Sequence, residues 1–283
     1  MVRVAGLHGQ VRAKVATVSQ DGLTAEQQLA AINAAVAKLS DEQQACWRRL
    51  RTEMAAAHLS IVEPDDLSVS DHAWLENYFI SQVFPVLTPI AVDPAHPFPF
   101  MPNKGFAVGI ELARDGAGST MHALMPIPSQ LHRFVRLPVD ADVQALSQTT
   151  VRFMRMETLI GLFAGRLFPG YHVARLGAFR VLRDIRLEID ATMPQELKAF
   201  VIEQLKIGES HVDVEESMLG LSDTAQLIVS DRPDLVFKPF TIRFPERIRE
   251  FSGDCFAAIR AKDIVVHHPY ESFDVVLQLL RQG

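Results

Sequence analysis

The feature that most constrains this chain is a proline-dense stretch at residues 84–106, FPVLTPIAVDPAHPFPFMPNKGF. Each proline removes a backbone donor and fixes φ, so this stretch cannot be a helix or a central strand. It is also too apolar for a solvated linker, because its valine, leucine, isoleucine and phenylalanine side chains need cover. We therefore expect a packed joint between two folded units. The prolines concerned are Pro85, Pro89, Pro94, Pro97, Pro99 and Pro102.

The composition indicates an ordinary globular protein of about two domains. The chain has 283 residues, of which 48% are apolar and 22% charged, and domains run to roughly 150 residues each. The net charge is −6, so the chain lacks the overall positive charge that is typical of nucleic-acid-binding proteins, and no nucleic-acid partner is expected. Cys46 and Cys255 lie far apart without a CxxC spacing, which fits a reducing cytoplasm and argues against a disulfide framework or a zinc site.

The first part of the chain has helical patterns. Thr24 followed by Gln27 forms a capping box that predicts a long helix running to about His58. Ser70 is the expected cap of a further helix, which the prolines then end. We place a domain boundary at about residue 84.

Beyond the joint, strand and helix patterns alternate, which predicts an α+β domain. The residues 219–247 are rich in loop signals, and a helix is expected from Phe273 to the end of the chain. The predicted strands are 106–112, 121–126, 179–190 and 263–266, and the predicted helices are 151–168 and one that begins near Pro194 and runs to about Leu205.

Several stretches together resemble one family, the bacterial polyphosphate kinases of the long, histidine-phosphorylating type. The proline joint and HHPYESFD at 267–274 are the most specific of them. The matching stretches are MVRVAGL (1–7), LTAEQQLAAI (23–32), FPVLTPIAVDPAHPFPF (84–100), HRFVRLP (132–138), LFPGYHV (167–173), RLEIDATMP (186–194) and FAAIRAKDIVVHHPYESFDVVLQLLRQ (256–282).

The resemblance implies a helical N-terminal domain at 1–83, a mixed α/β head domain at 84–247, and the first strand and helix of a phospholipase D-like catalytic domain at 248–283. It also implies ATP-dependent phosphoryl transfer to polyphosphate through a phosphohistidine, with arginines and Mg²⁺ neutralising the phosphate oxygens. ATP and polyphosphate are the implied substrates. The implied assembly is a homo-oligomer in the cytoplasm, with possible peripheral membrane association of the full-length enzyme.

The chain departs from the family plan in three ways. The catalytic histidines and arginines of the family have no counterpart before Gly283, and the ATP-contacting asparagine of the family would precede Met1. Residues 179–184 are joined almost directly to 186–194, where relatives place a helix and a basic segment, so an internal deletion near 184–186 is expected. We therefore expect no kinase activity from this chain alone. The alternatives are a non-catalytic oligomerisation or binding module and an incomplete gene product.

Arginines give the only candidate phosphate contacts, because a guanidinium can engage phosphate oxygens in pairs. The candidates are Arg3, Arg180 and Arg183. Arg3 lies on a basic edge with Arg12 and Lys14, and the other two lie in a cluster with Arg175 and Arg186. The alternative, which we favour, is a solvated charged face, since neighbouring acidic residues offset the second cluster.

Two histidine-containing segments are weaker candidates. His267 and His268 are a possible phosphorylation site, but they precede the position of the family's catalytic histidine, so we favour a structural joint with Pro269. Asp93 and His96 could begin a metal site, yet no third ligand has a recognisable spacing. We therefore assign neither a catalytic residue nor a metal ligand in this chain.

Overall fold

The computed structural model describes residues 2–15, 18–92, 101–114, 117–139, 150–182, 186–208, 211–238 and 240–283. The described residues fall into two compact units, Met1–Leu227 and Ile228–Gly283. The helices are α1 (Val2–Arg12), α2 (Ala25–Ala56), α3 (Val69–Tyr78), α4 (Met156–Phe163), α5 (Gln195–Leu205), α6 (Glu246–Glu250), α7 (Cys255–Ala261) and α8 (Asp274–Gln282). The strands are β1 (Leu59–Ile61), β2 (Ile90–Val92), β3 (Gly105–Arg114), β4 (Ala117–Pro126), β5 (Phe134–Arg136), β6 (Val151–Arg155), β7 (His172–Leu182), β8 (Arg186–Asp190) and β9 (Val212–Glu215).

The helical start of the first unit forms as the capping pattern predicts. The Thr24 hydroxyl accepts a hydrogen bond from the Gln27 amide, and the Gln27 side chain accepts one from the Thr24 amide. Helix α2 therefore begins at Ala25. Leu7 of α1 is buried against Ala25 and Leu29 of α2. Helix α3 is capped by Ser68 rather than Ser70.

A mixed sheet forms the centre of the first unit. Its strand order is β2-β4-β3-β7-β8-β9, antiparallel except for the last pair. Gly109 of β3 lies opposite Leu124 of β4 and Gly177 of β7. A smaller sheet has the order β1-β6-β5.

The larger sheet buries both of its faces, as the alternation along β3 shows. Val108, Ile110 and Leu112 contribute to a core with α3 and α4. Ala107 lies on the opposite face of the strand and contributes to a second core with α5. The described part of the first unit is thus a sheet with helices on both sides, an α+β arrangement as the sequence predicts.

In the described part of the proline-dense joint, Ile90–Val92 form a short edge strand of this sheet, and the last two residues, Gly105 and Phe106, begin the central strand β3. Strand β2 has three residues and pairs with β4 alone, in keeping with the exclusion of prolines from central strands. Residues 93–100, and with them the candidate metal ligands Asp93 and His96, lie outside the described residues.

The helix predicted over 151–168 is wrong at its start, because residues 151–155 form strand β6. Val151 and Phe153 are buried, and β6 is paired on one edge with β1 and on the other with β5. A short apolar run does not distinguish a central strand from a buried helix. The strand predicted at 179–190 is a hairpin of β7 and β8 instead.

The second unit is a small helical cluster. Ile248 of α6, Cys255 and Ala258 of α7 and Val275 of α8 form its core. The strand predicted at Asp263–Val266 is absent, and the described residues of this unit have a single parallel bridge, between Arg243 and Glu271. Two strand partners with a longer paired stretch would be needed to form a sheet here. The domain boundaries at 83 and 247 stay predictions.

None of the helices in the described part of the chain combines the length and the apolarity that a bilayer crossing requires.

Candidate functional site

A cavity of the first unit, here called the head cavity, has a volume of about 690 Å³. It opens where β3 begins and β4 ends, beside the segment Leu221–Leu227. Its lining combines an apolar wall with buried charged groups. The lining includes Val86, Ile90, Lys104, Phe106, Ile127, Leu131, Arg133, Glu157, Arg180, Asp223 and Gln226.

Arg133 is the structural centre of the head cavity. Its side chain is only 7% exposed and forms an ion pair with Glu157, with 2.7 Å between Nη2 and Oε1. Its Nη1 donates to the carbonyl oxygens of Leu219 and Gly220, at 2.6 and 3.0 Å. This guanidinium therefore joins the end of the β4–β5 connection to α4 and to the loop at 219–220.

The contact between these segments is reciprocal. The Gln226 side-chain oxygen accepts hydrogen bonds from the backbone amides of Arg133 and Phe134, at 2.8 and 3.2 Å. Buried polar groups are costly unless they are bonded. The HRFVRLP stretch thus holds one wall of the cavity in place.

Arg180 of β7 forms a second charged centre. Its Nη1 donates to Glu188 on β8 at 3.1 Å, and its Nε lies 3.5 Å from the Lys104 carbonyl oxygen. The Phe106 ring lies between the two arginines, with its centroid 4.2 Å from the Arg133 guanidinium carbon and 5.4 Å from that of Arg180. Cation–π contacts of this kind stabilise the positions of the two guanidinium groups beside the ring.

Gly220 has to be glycine for the wall to close. Its φ is +51°, and a β-carbon there would lie 2.6 Å from the Phe106 ring and 3.1 Å from Arg180 Nη1. Both the backbone conformation and the contact distance exclude a side chain.

The structure places the three predicted phosphate contacts apart. Arg180 lines the head cavity, whereas Arg3 is exposed, donates to Gln28 Oε1 at 3.3 Å and lines a smaller cavity between α1 and α2. Arg183 lies outside the described residues. The roles of all three in phosphate binding stay predictions.

The other arginines of the predicted second cluster are paired. Arg175 forms an ion pair with Glu111 at 3.2 Å, and Arg186 pairs with Asp213. The described members of the cluster, Arg175, Arg180 and Arg186, are therefore engaged in ion pairs across the sheet.

His267 and His268 lie in a turn of the second unit. The His267 amide donates to the Glu271 side chain, and His268 Nδ1 lies 2.8 Å from the Glu271 carbonyl oxygen. Their rings contact Tyr270 and Phe273 respectively. This geometry supports the structural role that the sequence favours, which remains a prediction.

The Glu157 carboxylate of the head cavity does not suit a magnesium ion. Both oxygens of Glu157 face Arg133 Nε, at 3.2 and 3.3 Å, so they are already used by a cation. No group of three or more histidine, cysteine, aspartate or glutamate side chains in the described part of the chain is placed to hold a metal.

Sequence reasoning missed Arg133, Glu157 and Gln226 as site residues. The signal was present in HRFVRLP, where an arginine stands among apolar residues within a specific motif. Its partners lie 24 and 93 positions away, so only the fold brings them together.

A solved structure has the same fold over nearly all of this chain. The crystal structure of a polyphosphate kinase from Porphyromonas gingivalis matches with a TM-score of 0.82 at 22% identity, over 99% of this chain and 42% of that one. The helical start and mixed sheet thus define an α+β protein with the architecture of part of that enzyme.

Two family models match in sequence order. The polyphosphate kinase N-terminal domain matches residues 1–62 and the polyphosphate kinase middle domain matches residues 70–185, together well over half of the chain. The chain belongs to the polyphosphate kinase family.

Curated relatives agree with this assignment. A polyphosphate kinase of Erythrobacter litoralis is 38% identical over 100% of this chain and 42% of its own length. One from Mycolicibacterium gilvum is 32% identical, over 98% and 42%, and polyphosphate kinase 1 of Chlorobaculum tepidum is 31% identical, over 99% and 44%. The chain thus spans less than half the length of these relatives.

Proposed function

We propose that this chain serves ATP-dependent phosphoryl transfer to polyphosphate, as the N-terminal and head portion of a polyphosphate kinase. The observation that carries the proposal is the match of both family domains, in order, to residues 1–62 and 70–185. In this reaction the bond from the terminal phosphorus of ATP to its bridging oxygen breaks and ADP leaves. A histidine nitrogen holds the phosphoryl group before a terminal oxygen of polyphosphate accepts it. ATP and Mg²⁺ are the expected co-substrate and cofactor.

We further propose that the 283-residue polypeptide does not catalyse phosphoryl transfer to polyphosphate on its own. The arginines that line the head cavity are engaged by carboxylates: Arg133 by Glu157 and Arg180 by Glu188. Transition-state stabilisation of a phosphoryl group requires cations that are aimed at it and are not neutralised beforehand. This chain contributes a structural part of the enzyme and not its catalytic groups.

The test is polyphosphate synthesis by the purified polypeptide with ATP, Mg²⁺ and a polyphosphate primer. A full-length polyphosphate kinase serves as the positive control. We expect no product above the level of a mock preparation. Synthesis that follows the polypeptide through two different purification steps contradicts the proposal. Loss of that synthesis in a His267→Gln, His268→Gln double variant would then assign it to these histidines.

We also propose that the head domain is shortened between β7 and β8. The alignment to the Erythrobacter litoralis relative extends over 311 residues, more than the 283 of this chain. The middle-domain model stops at residue 185, near the expected junction. Insertion of the corresponding relative's segment between Leu182 and Arg186 should be tolerated without loss of stability, as chemical unfolding would measure.

A second candidate is an assembly module, which would make the chain a homo-oligomer. Helix α2 favours it, because Val36, Leu39 and Leu50 are 38%, 63% and 42% exposed at near-helical spacing along one side. Light scattering should then give a mass above 31.5 kDa that falls in Leu39→Lys. Val69→Lys, at a valine that is 90% exposed on α3, is the matched control. A monomer at all concentrations eliminates this candidate.

A further inference from the structure

The head cavity has the size and the apolar wall of a site for an organic ligand. Its volume of about 690 Å³ lies within the roughly 300–1,000 Å³ of small-molecule sites. Phe106, Ile127 and Leu131 are partly exposed along it. An inorganic anion would leave this wall in contact with water, so the cavity favours a ligand that also has an apolar or aromatic part.

Two cationic groups at the cavity have bonding capacity left. Arg180 is 8% exposed, and its Nε and Nη1 are used, but its Nη2 has no partner among the described residues. Among the described residues, every side-chain nitrogen or oxygen that is inaccessible to solvent has a hydrogen-bond partner. Nη2, which has none, is therefore accessible to solvent, and Arg180 lines the cavity. Lys104, also on the lining, has no ion pair with any described residue. A guanidinium edge and an ammonium group suit phosphate oxygens.

An acceptor and a donor at the same cavity complement this pair. The Asp223 side chain is 33% exposed, and only its Oδ2 approaches Arg133, at 3.5 Å. The Gln226 oxygen is used by two backbone amides, while its amide nitrogen has no partner among the described residues. The polar edge of a nucleobase offers both donors and acceptors, which this pair of side chains can match.

The same lining argues against a bare phosphate chain as the occupant. Asp223 lines the cavity with a carboxylate that is 33% exposed and only loosely paired with Arg133, at 3.5 Å, and its negative charge opposes a polyanion that would fill the cavity. A single phosphate group there meets the Lys104 ammonium and the Nη2 donor that Arg180 keeps beside its pairing with Glu188.

We propose that the head cavity binds a nucleoside phosphate. Lys104 and Arg180 contact its phosphate, the apolar wall around Phe106 and Ile127 covers its base, and Asp223 and Gln226 contact the polar edge of the base. The proposal rests on this geometry and goes beyond the phosphoryl-transfer role. It holds whether or not the polypeptide makes polyphosphate.

Calorimetric titration of the 283-residue polypeptide tests it, with ATP, GTP, polyphosphate and inorganic phosphate as separate probes. We expect at least one nucleotide to bind more tightly than either inorganic probe, and Lys104→Gln to weaken that affinity about tenfold. Lys206→Gln is the matched control, because Lys206 is exposed and has a positive φ of 54°, close to the 63° of Lys104, but does not line the cavity. Asp223→Asn should change the ratio of the ATP and GTP affinities.

Unchanged thermal midpoints without ligand show that the variants fold. The proposal is overturned if no nucleotide binds, if Lys104→Gln and Lys206→Gln behave alike, or if Asp223→Asn leaves the ATP-to-GTP ratio unchanged. Tighter binding of polyphosphate or inorganic phosphate than of either nucleotide also overturns it.

Discussion

At the scale of single residues, the buried pair of Arg133 and Glu157 determines the geometry of the head cavity. Both side chains are less than 10% exposed, at 7% and 6%. Removing one member of such a pair leaves an uncompensated charge in a medium that solvates it poorly. The pair fixes the arrangement of three segments, and its loss should be felt as loss of stability.

Glu157→Gln should lower the free energy of unfolding of the first unit by about 3 kcal/mol, the low end for a broken buried pair. Urea unfolding followed by tryptophan fluorescence measures this unit alone, because both tryptophans, Trp47 and Trp74, lie in it. Glu42→Gln is the control, since the Lys38–Glu42 pair is 79% and 62% exposed, and it should cost less than about 0.5 kcal/mol. Equal effects of the two substitutions contradict the assigned role.

Glu215 gives a prediction that depends on pH. Burial, as the largest cause, raises the pKa of the Glu215 carboxyl, helped by the nearby Glu188 and Asp213, against a hydrogen bond from Ser40. The stability that Glu215 contributes is therefore complete below its ordinary pKa and is lost as the pH rises through the raised value. Glu215→Gln has no such loss, so its stability advantage over the native chain should grow from pH 4 to pH 7.

Urea unfolding at both pH values measures this difference. Glu216→Gln, at the exposed neighbouring position, should have no growing advantage. A Glu215→Gln advantage that is constant or shrinks toward pH 7 would show that burial does not control this carboxyl.

The sequence gives little warning of these residues. Arg133 stands in a recognisable motif, yet nothing in the local pattern connects it with Glu157 on α4. The residue type makes Arg180 a candidate phosphate contact. Its pairing with Glu188 depends on the β7–β8 hairpin, whereas the alternating pattern predicts one strand over 179–190.

At the scale of elements, α2 is attached by polar contacts to the segment that follows β9. Gln44 donates to the Met218 carbonyl at 2.9 Å and accepts from the Met218 amide at 3.3 Å. One turn further along, Arg48 donates to Ser217. A long helix with few buried apolar side chains can thus be held in place by polar contacts with a loop.

Gln44→Ala should lower the free energy of unfolding of the first unit by about 1–3 kcal/mol, because it leaves a buried amide and carbonyl without partners. Gln43→Ala, at the exposed neighbouring position, should change it by less than about 0.5 kcal/mol. Tryptophan fluorescence in urea again gives the measurement. Indistinguishable midpoints for the two variants would mean that α2 is not attached in this way.

Elements with local signals are the ones that the sequence predicts well. Thr24 and Gln27 are adjacent in the pattern, so their capping box is visible without a fold, and so is the start of α5 after Pro194. Strand β6 is different. Its identity comes from neighbours β1 and β5, which are distant in sequence, so its apolar run was assigned to a helix.

At the scale of the whole molecule, the described residues form two compact units that meet in sequence at residues 227 and 228. The segment that follows residue 227 exposes large apolar side chains to solvent: Ile228 is 69% exposed and Phe237 is 100% exposed. The described residues between 228 and 242 form one short 3-10 helix, Pro233–Leu235, and no α-helix or strand. Exposed apolar side chains in such a segment are good protease sites.

Brief digestion with chymotrypsin should therefore cut first between residues 228 and 242, as mass spectrometry of the products would locate. The N-terminal product should keep the tryptophan emission of the intact chain, because the first unit contains both tryptophans. First cuts within α2 or β3 would contradict the division into these two units.

The most direct test of the central claim is whether this polypeptide itself takes up the phosphoryl group. The chain belongs to the polyphosphate kinase family, and we propose that it shapes the enzyme without carrying the transferred group. Incubation with ATP labelled at the terminal phosphate, followed by detection of acid-labile label, measures this. We predict no label on the 283-residue chain under conditions that label a full-length family member. Acid-labile label at His267 or His268 would contradict the account.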